Sequence, residues 1–270
     1  MAGEFKVNGV SFATESGGTL TVNNSKVRLP SSGNGIEDSS GNSVLSESGG
    51  NVSLTAKNAT VTGDFIPSNS FMFRNKLING NFDFWQRGTS QTSSGYGSAD
   101  RWSIGHGTSS KTASQQSFAN GQTEVPGNPK FYLRNVVTSS ANAANYVIVY
   151  QNIEGVETLA GKTATLSFYA KADSNKNIAS GFIRWYGTGG SPSAFETGIG
   201  VTTHNLTTSW QKFTVTTTIP SISGKTIGTD GRDYLGLEFW FDAGSSINAR
   251  SNSLGNQSGT FDIAQVQIEE

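Results

Sequence analysis

The feature that most constrains the fold is a series of short alternating runs, each of strand length and each closed by turn residues. They fall at residues 131–138, 146–152, 164–172, 178–186, 197–203, 211–218, 234–242 and 260–269. In the third run Leu166 and Phe168 share one face, while Thr165, Ser167 and Tyr169 share the other. In the seventh, Leu235, Leu237, Phe239 and Phe241 fall together. A period of two buries one face of a sheet. About eight such strands with crossover-length loops therefore predict an all-β fold, an antiparallel β-sandwich of the jelly-roll kind. One short helix signal stands at residues 153–159, ended by Gly161. Composition agrees with this class, since charged residues are 14%, below the roughly 25% of an average domain.

The first 66 residues read differently. Residues 5–7 and 10–12 flank Asn8-Gly9, a hairpin signal. Further runs stand at 19–22, 26–29, 43–45, 52–55 and 59–61. Each offers only one or two inward side chains, too few to offset the ordering entropy of a single chain. The segment is expected to borrow partners, most simply sister copies wound into an intertwined homotrimer. Val7, Val10, Leu20, Val22, Val27, Leu29, Val44, Leu45, Val52, Leu54 and Val61 would form its apolar stripe. A low-complexity linker is the plainer alternative. Residues 67–74 form a junction in which Pro67 breaks periodicity and Phe71-Met72-Phe73 could plug the base of the domain at 75–270.

That domain opens on the stretch NKLINGNFDFWQRGTS, residues 75–90. It is read as the first strand, with Leu77, Phe82, Phe84 and Trp85 as apolar anchors and Asn79-Gly80-Asn81 as a tight turn. Core positions are also expected for Trp102, Trp210 and Trp240. With SADRW at 98–102, the stretch resembles the start of the carbohydrate-binding-module-like jelly roll of tailed-phage tail fibre and spike proteins. LAGKTATLSFYAKA at 159–172, TSWQKF at 208–213 and FDIAQVQIEE at 261–270 resemble later strands of the same domains, in the same order. GIEDSSGNSVLSESGG at 35–50 resembles N-terminal segments of phage virion proteins. The resemblance implies a virion protein made in the host cytoplasm, trimeric as such fibres commonly are. Its partners would be other tail or capsid proteins and host-surface polysaccharide. It also implies a structural calcium tying the first strand to the last, with oxygens from Asn81, Asp83 and Asp262; no other cofactor is called for.

Catalytic signatures are sparse. His106 and His204 stand apart without a supporting motif. Neither a G-x-S-x-G elbow nor an H-E-x-x-H pair occurs. Gly161-Lys162-Thr163 lacks the spacing of a phosphate loop. Glu154, Glu196, Asp230, Asp233 and Glu238 are scattered carboxylates from which a hydrolytic pair could be drawn only by tertiary structure. Sugars stack on aromatic rings while Arg and amides read hydroxyls. Tyr96, in a Gly/Ser-rich loop, and Arg184 and Tyr186, ahead of a Gly-rich loop, are the glycan-binding candidates.

A net charge of −1 argues against a nucleic-acid footprint. The absence of cysteine removes disulfides and thiolate metal sites. No apolar run suggests a signal peptide or membrane insertion. The expected function is a non-enzymatic tail fibre or spike subunit that contacts host glycan. The alternatives are a decoration or capping protein of capsid or tail that binds no glycan, a depolymerase, and a bacterial carbohydrate-binding module cut from a larger enzyme.

Overall fold

The structure, a computed structural model, describes residues 75–270 throughout. Of the first 74 residues it describes the backbone of six strands: β1 (Glu4–Val7), β2 (Val10–Ser16), β3 (Thr19–Val22), β4 (Gly35–Glu37), β5 (Ser43–Ser48) and β6 (Asn51–Leu54). The chain divides into two units, Met1–Pro67 and Ser68–Glu270. In the first, β1–β2–β3 and β4–β5–β6 form two antiparallel sheets. Val7 pairs with Val10, as the Asn8-Gly9 signal implies. The expected runs at 26–29 and 59–61, and the Phe71-Met72-Phe73 plug, lie outside the described residues.

The second unit is an antiparallel β-sandwich. Its strands are β7 (Ser90–Gln91), β8 (Ser103–His106), β9 (Ser110–Ser117), β10 (Phe131–Thr138), β11 (Tyr146–Glu154), β12 (Thr163–Ala172), β13 (Lys176–Trp185), β14 (Glu196–Leu206), β15 (Gln211–Thr218), β16 (Tyr234–Ala243) and β17 (Gly259–Glu269). One sheet runs β15-β12-β17-β10-β9-β7 and the other β14-β13-β16-β11-β8. Between them lies the main core, to which alternate residues contribute: Leu166, Phe168 and Ala170 from β12, and Leu235, Leu237, Phe239 and Phe241 from β16. Trp102 is buried there, 5.2 Å from Phe82 between ring centroids. β9 escapes the sequence pattern because Ser, Thr, Lys and Gln dominate it, and β8, four residues with one large apolar side chain, is too short to show a period.

Residues 75–89 contain no strand, contrary to expectation. Asn79 and Phe82 adopt φ of 57° and 56°, which no extended ladder allows. Side-chain amides hold the backbone instead. Asn75 Oδ1 accepts from Leu77 N and Ile268 N, both at 3.0 Å. Asn79 Nδ2 donates to the carbonyls of Phe84 and Asp100 at 2.9 Å each, and Asn79 Oδ1 accepts from Phe84 N at 3.0 Å. Gln151 clamps Ile78 through both its N–H and its carbonyl. The Gly80 carbonyl accepts from Val266 N at 2.9 Å, and a Cβ at Gly80 would lie 2.1 Å from Val266 O, so only glycine fits. Leu77 and Phe82 are buried as expected, but Phe84 is 62% exposed.

Three further expectations are corrected. The helix expected at 153–159 is the end of β11 and a turn, because Ile153 packs on the core and Gly155 takes φ 85°. Helix instead appears as a 3-10 turn at Ser245–Ile247 and α1 (Asn248–Ser251). Trp85 is only partly buried at the core margin. Trp210 packs on Phe118, Tyr132 and the Lys171 ammonium, on the outer face of the six-stranded sheet. Tyr132 and Lys171 alternate there with the core residues Leu133 and Ala170. Trp240 is buried as expected, in a second hydrophobic cluster with Ile148 and Ala179.

Candidate functional site

The second cluster marks the outer face of the five-stranded sheet. Strand parity puts Trp185, Ile183 and Ala179 of β13 on this face, because Ile178 and Phe182 take the core. Opposite them in register stand Tyr234, Gly236 and Trp240 of β16, and beyond these Glu154, Asn152 and Ile148 of β11. Residues 244–254 fold over one end of this face. Ile247 and Leu254 cover Trp240, and Arg250 stacks 5.2 Å from its ring.

Two adjoining clefts remain open along the rest, sharing Asn152 and Tyr234 in their walls. The first, about 440 Å³, is walled by Tyr96, Trp185 and Tyr234 and by Arg87, Arg101 and Arg232, with Glu154 and Asp233. The second, about 410 Å³, is walled by Tyr146, Tyr150, Ile183, Trp240, Glu238 and Arg250. Trp185 and Tyr234 tilt together with centroids 5.4 Å apart. Burial raises the Tyr234 phenol pKa, and Glu238 and Tyr150 add to the rise, so it stays protonated and able to donate. Asn152 Oδ1 is buried with no hydrogen-bond partner among the described residues. A carbonyl left in that condition is costly unless a ligand or water supplies a donor.

Of the glycan-binding candidates, the structure brings Tyr96 to the first cleft, half exposed. Arg184 and Tyr186 are both 0% exposed, so the exposed position expected of them is corrected. Arg184 shares the inward parity of Phe182. Its guanidinium bonds Glu196 at 2.8 Å through Nε and the Pro220 carbonyl through Nη1. Lys225 completes the cluster on Glu196 and, with Arg184, lies over the Tyr186 ring. Alternation along β13 sets Arg184 and Tyr186 apart from Trp185, and the packing of the two sheets makes the Trp185 face the outer one.

Asn81 and Asp83 are exposed and line a separate cleft of about 460 Å³ with Gln265, whereas Asp262 is buried elsewhere on β17. Both Asp262 oxygens accept from Arg134 at 2.8 Å. Its charge is already balanced by Arg134, and Asp262 is not among the residues that line the cleft of Asn81 and Asp83.

Tertiary structure does gather three of the scattered carboxylates, Glu154, Asp233 and Glu238, along the clefts. Glu154 pairs with Arg101 at 3.0 Å and Asp233 Oδ2 accepts from Val156 N at 2.7 Å. Glu238 is 2% exposed, and burial raises its pKa against the opposing effect of its Arg250 partner. His204 is buried beside Ser180, and His106 caps nearby carbonyls. No helix among the described residues is long and apolar enough to cross a membrane.

No family model and no curated protein matches the chain. Similar solved structures include one named for a CBM4, 19% identical, covering 72% of this chain and 98% of its own with a TM-score of 0.40. Another is a family 11 carbohydrate-binding module from Clostridium thermocellum in complex with a mixed-linked tetrasaccharide, 12% identical, covering 67% and 95% with a TM-score of 0.38. A third is the enzymatically active domain of tailspike protein 4 of bacteriophage CBA120, 14% identical, with a TM-score of 0.42; it covers 73% of this chain, which spans 21% of the tailspike domain's length.

Proposed function

We propose that the β-sandwich is a carbohydrate-binding domain that holds an oligosaccharide along the outer face of the five-stranded sheet. The observation that carries this reading is the groove wall: Tyr96, Trp185 and Tyr234 present partly exposed rings beside the unpartnered Asn152 carbonyl. Rings of that kind stack on the apolar faces of sugars, and an amide oxygen accepts from a hydroxyl. The carboxylates in the groove act in this reading as hydrogen-bonding and counter-charge groups, not as a hydrolytic pair. Glu238 supports this, being pinned by Arg250 in a bidentate pair.

The larger role proposed is that of a phage tail fibre or spike subunit that contacts host-surface polysaccharide, its first unit attaching to the particle or to sister chains. The motifs at 75–102, 159–172, 208–213 and 261–270 support it. A decoration or capping protein that binds no glycan is the competing reading. Presenting the full chain to an array of oligosaccharides separates the two. Binding is expected, and Trp185→Ala is expected to weaken it about three- to tenfold. Absence of binding to every sugar would leave the decoration role.

A further inference from the structure

The first cleft carries more positive charge than its own carboxylates can balance. Three guanidinium groups, Arg87, Arg101 and Arg232, stand against Glu154 and Asp233. Arg101 is paired with Glu154, whose side chain is 87% exposed and screened by solvent. One Asp233 oxygen is committed to the Val156 amide. Neither Arg87 nor Arg232 has an ion pair among the described residues, in a protein whose net charge is −1. The positive end of the groove is thus a local feature, not part of a basic surface.

A second observation comes from the backbone. Arg101 adopts φ 70°, in the left-handed region that disfavours any residue with a Cβ. It sits in the turn closed by Trp102 N donating to the Ala99 carbonyl. That geometry seats Trp102 in the core while the preceding side chain, Arg101, lines the cleft. Glycine would fill the position without strain. A strained residue at a cleft is the pattern of a position kept for its side chain. Arg101 and Arg87 both act electrostatically on the Tyr96 phenol, which puts these two charges at the aromatic wall.

The geometry points to an acidic saccharide as the ligand: a sugar carrying a carboxylate, held by Arg87, Arg101 and Arg232 while its ring lies against Trp185 and Tyr234. The inference rests on the proposed glycan-binding role of this groove. A guanidinium fork matches a carboxylate in bidentate fashion, and one such pair discriminates strongly against a neutral hydroxymethyl group at the same place.

The test uses the full chain and three kinds of probe: uronate-containing oligosaccharides, the same oligosaccharides with their carboxylates reduced to alcohols, and sialylated glycans on an array. An acidic probe is expected to bind about tenfold or more tighter than its neutral counterpart. The advantage should shrink as salt rises from low to near-molar concentration. Arg232→Gln and Arg101→Gly should each lower the acidic-to-neutral affinity ratio, with the Arg101→Gly melting temperature not reduced. A merely structural Arg101 would instead show lowered melting. Equal affinity for acidic and carboxyl-reduced probes overturns the inference and leaves the glycan-binding groove standing. An acidic preference that survives both arginine substitutions overturns the assignment to this cleft. Binding to no sugar of either kind overturns the groove reading itself.

Discussion

His204 shows how a single side chain can set a pH response from inside a sandwich. It is buried on β14, shares a 2.8 Å hydrogen bond with Ser180, and packs edge-on against Phe168 and Phe213. Desolvation lowers its pKa from 6.5 to about 4. The unfolded chain therefore binds a proton over this interval that the folded chain refuses. Stability from the neutral ring is complete above about pH 6.5 and declines as pH falls toward 4. At pH 5 the loss comes to about 2 kcal/mol. Glu238, with its raised pKa, contributes with the opposite sign in the same region, so the informative quantity is a difference between proteins. Denaturant titrations at pH 7.5 and pH 5 should show a smaller pH effect in His204→Gln than in the parent. An unchanged pH effect in the variant would mean that His204 is already solvated and charged in the fold.

Among the elements, residues 75–89 are the least regular and the most dependent on side-chain hydrogen bonds. Asn79 alone supplies three, to both backbone groups of Phe84 and to the Asp100 carbonyl. It also tolerates φ 57°, which asparagine accepts better than most residues. Removing its amide leaves those groups unpaired at a half-buried site, at a cost of about 1–3 kcal/mol. Asn79→Gly keeps the backbone conformation and loses only the bonds, whereas Asn79→Ala loses both, so the alanine variant should melt lower than the glycine one. Gly80→Ala should be worse than either, since its Cβ would meet the Val266 carbonyl of β17. The opposite order of melting temperatures would mean that the segment is held by its apolar contacts. The strand reading of this stretch failed because Leu77, Phe82 and Trp85 look like alternation with slips, whereas the amides that fix the backbone leave no period in a sequence.

For the whole molecule, the two units differ in how each could be stabilised. The sandwich closes its own core between sheets of six and five strands. The first unit comprises two three-stranded sheets of short strands, drawn from a sequence with few large apolar residues. The proposal of a homotrimer assembled through that unit is checked by light scattering on the full chain and on a shortened chain starting at Phe71. The full chain is expected at three times the monomer mass and the shortened chain as monomer. A monomeric full chain with protease-sensitive residues 1–66 would make the segment a tether. The sequence by itself determined the class of the large unit and eight of its strands, because burial of one sheet face writes a period of two into neighbours along the chain. It also placed Tyr96 at a surface worth attention. Only the tertiary structure decided which parity of β13 faces outward, and so exchanged Arg184 and Tyr186 for Trp185. It alone brought Arg87, Arg101 and Arg232 from three separate loops to one cleft. Those choices depend on which sheet covers which, a relation between strands distant in sequence that no local period records.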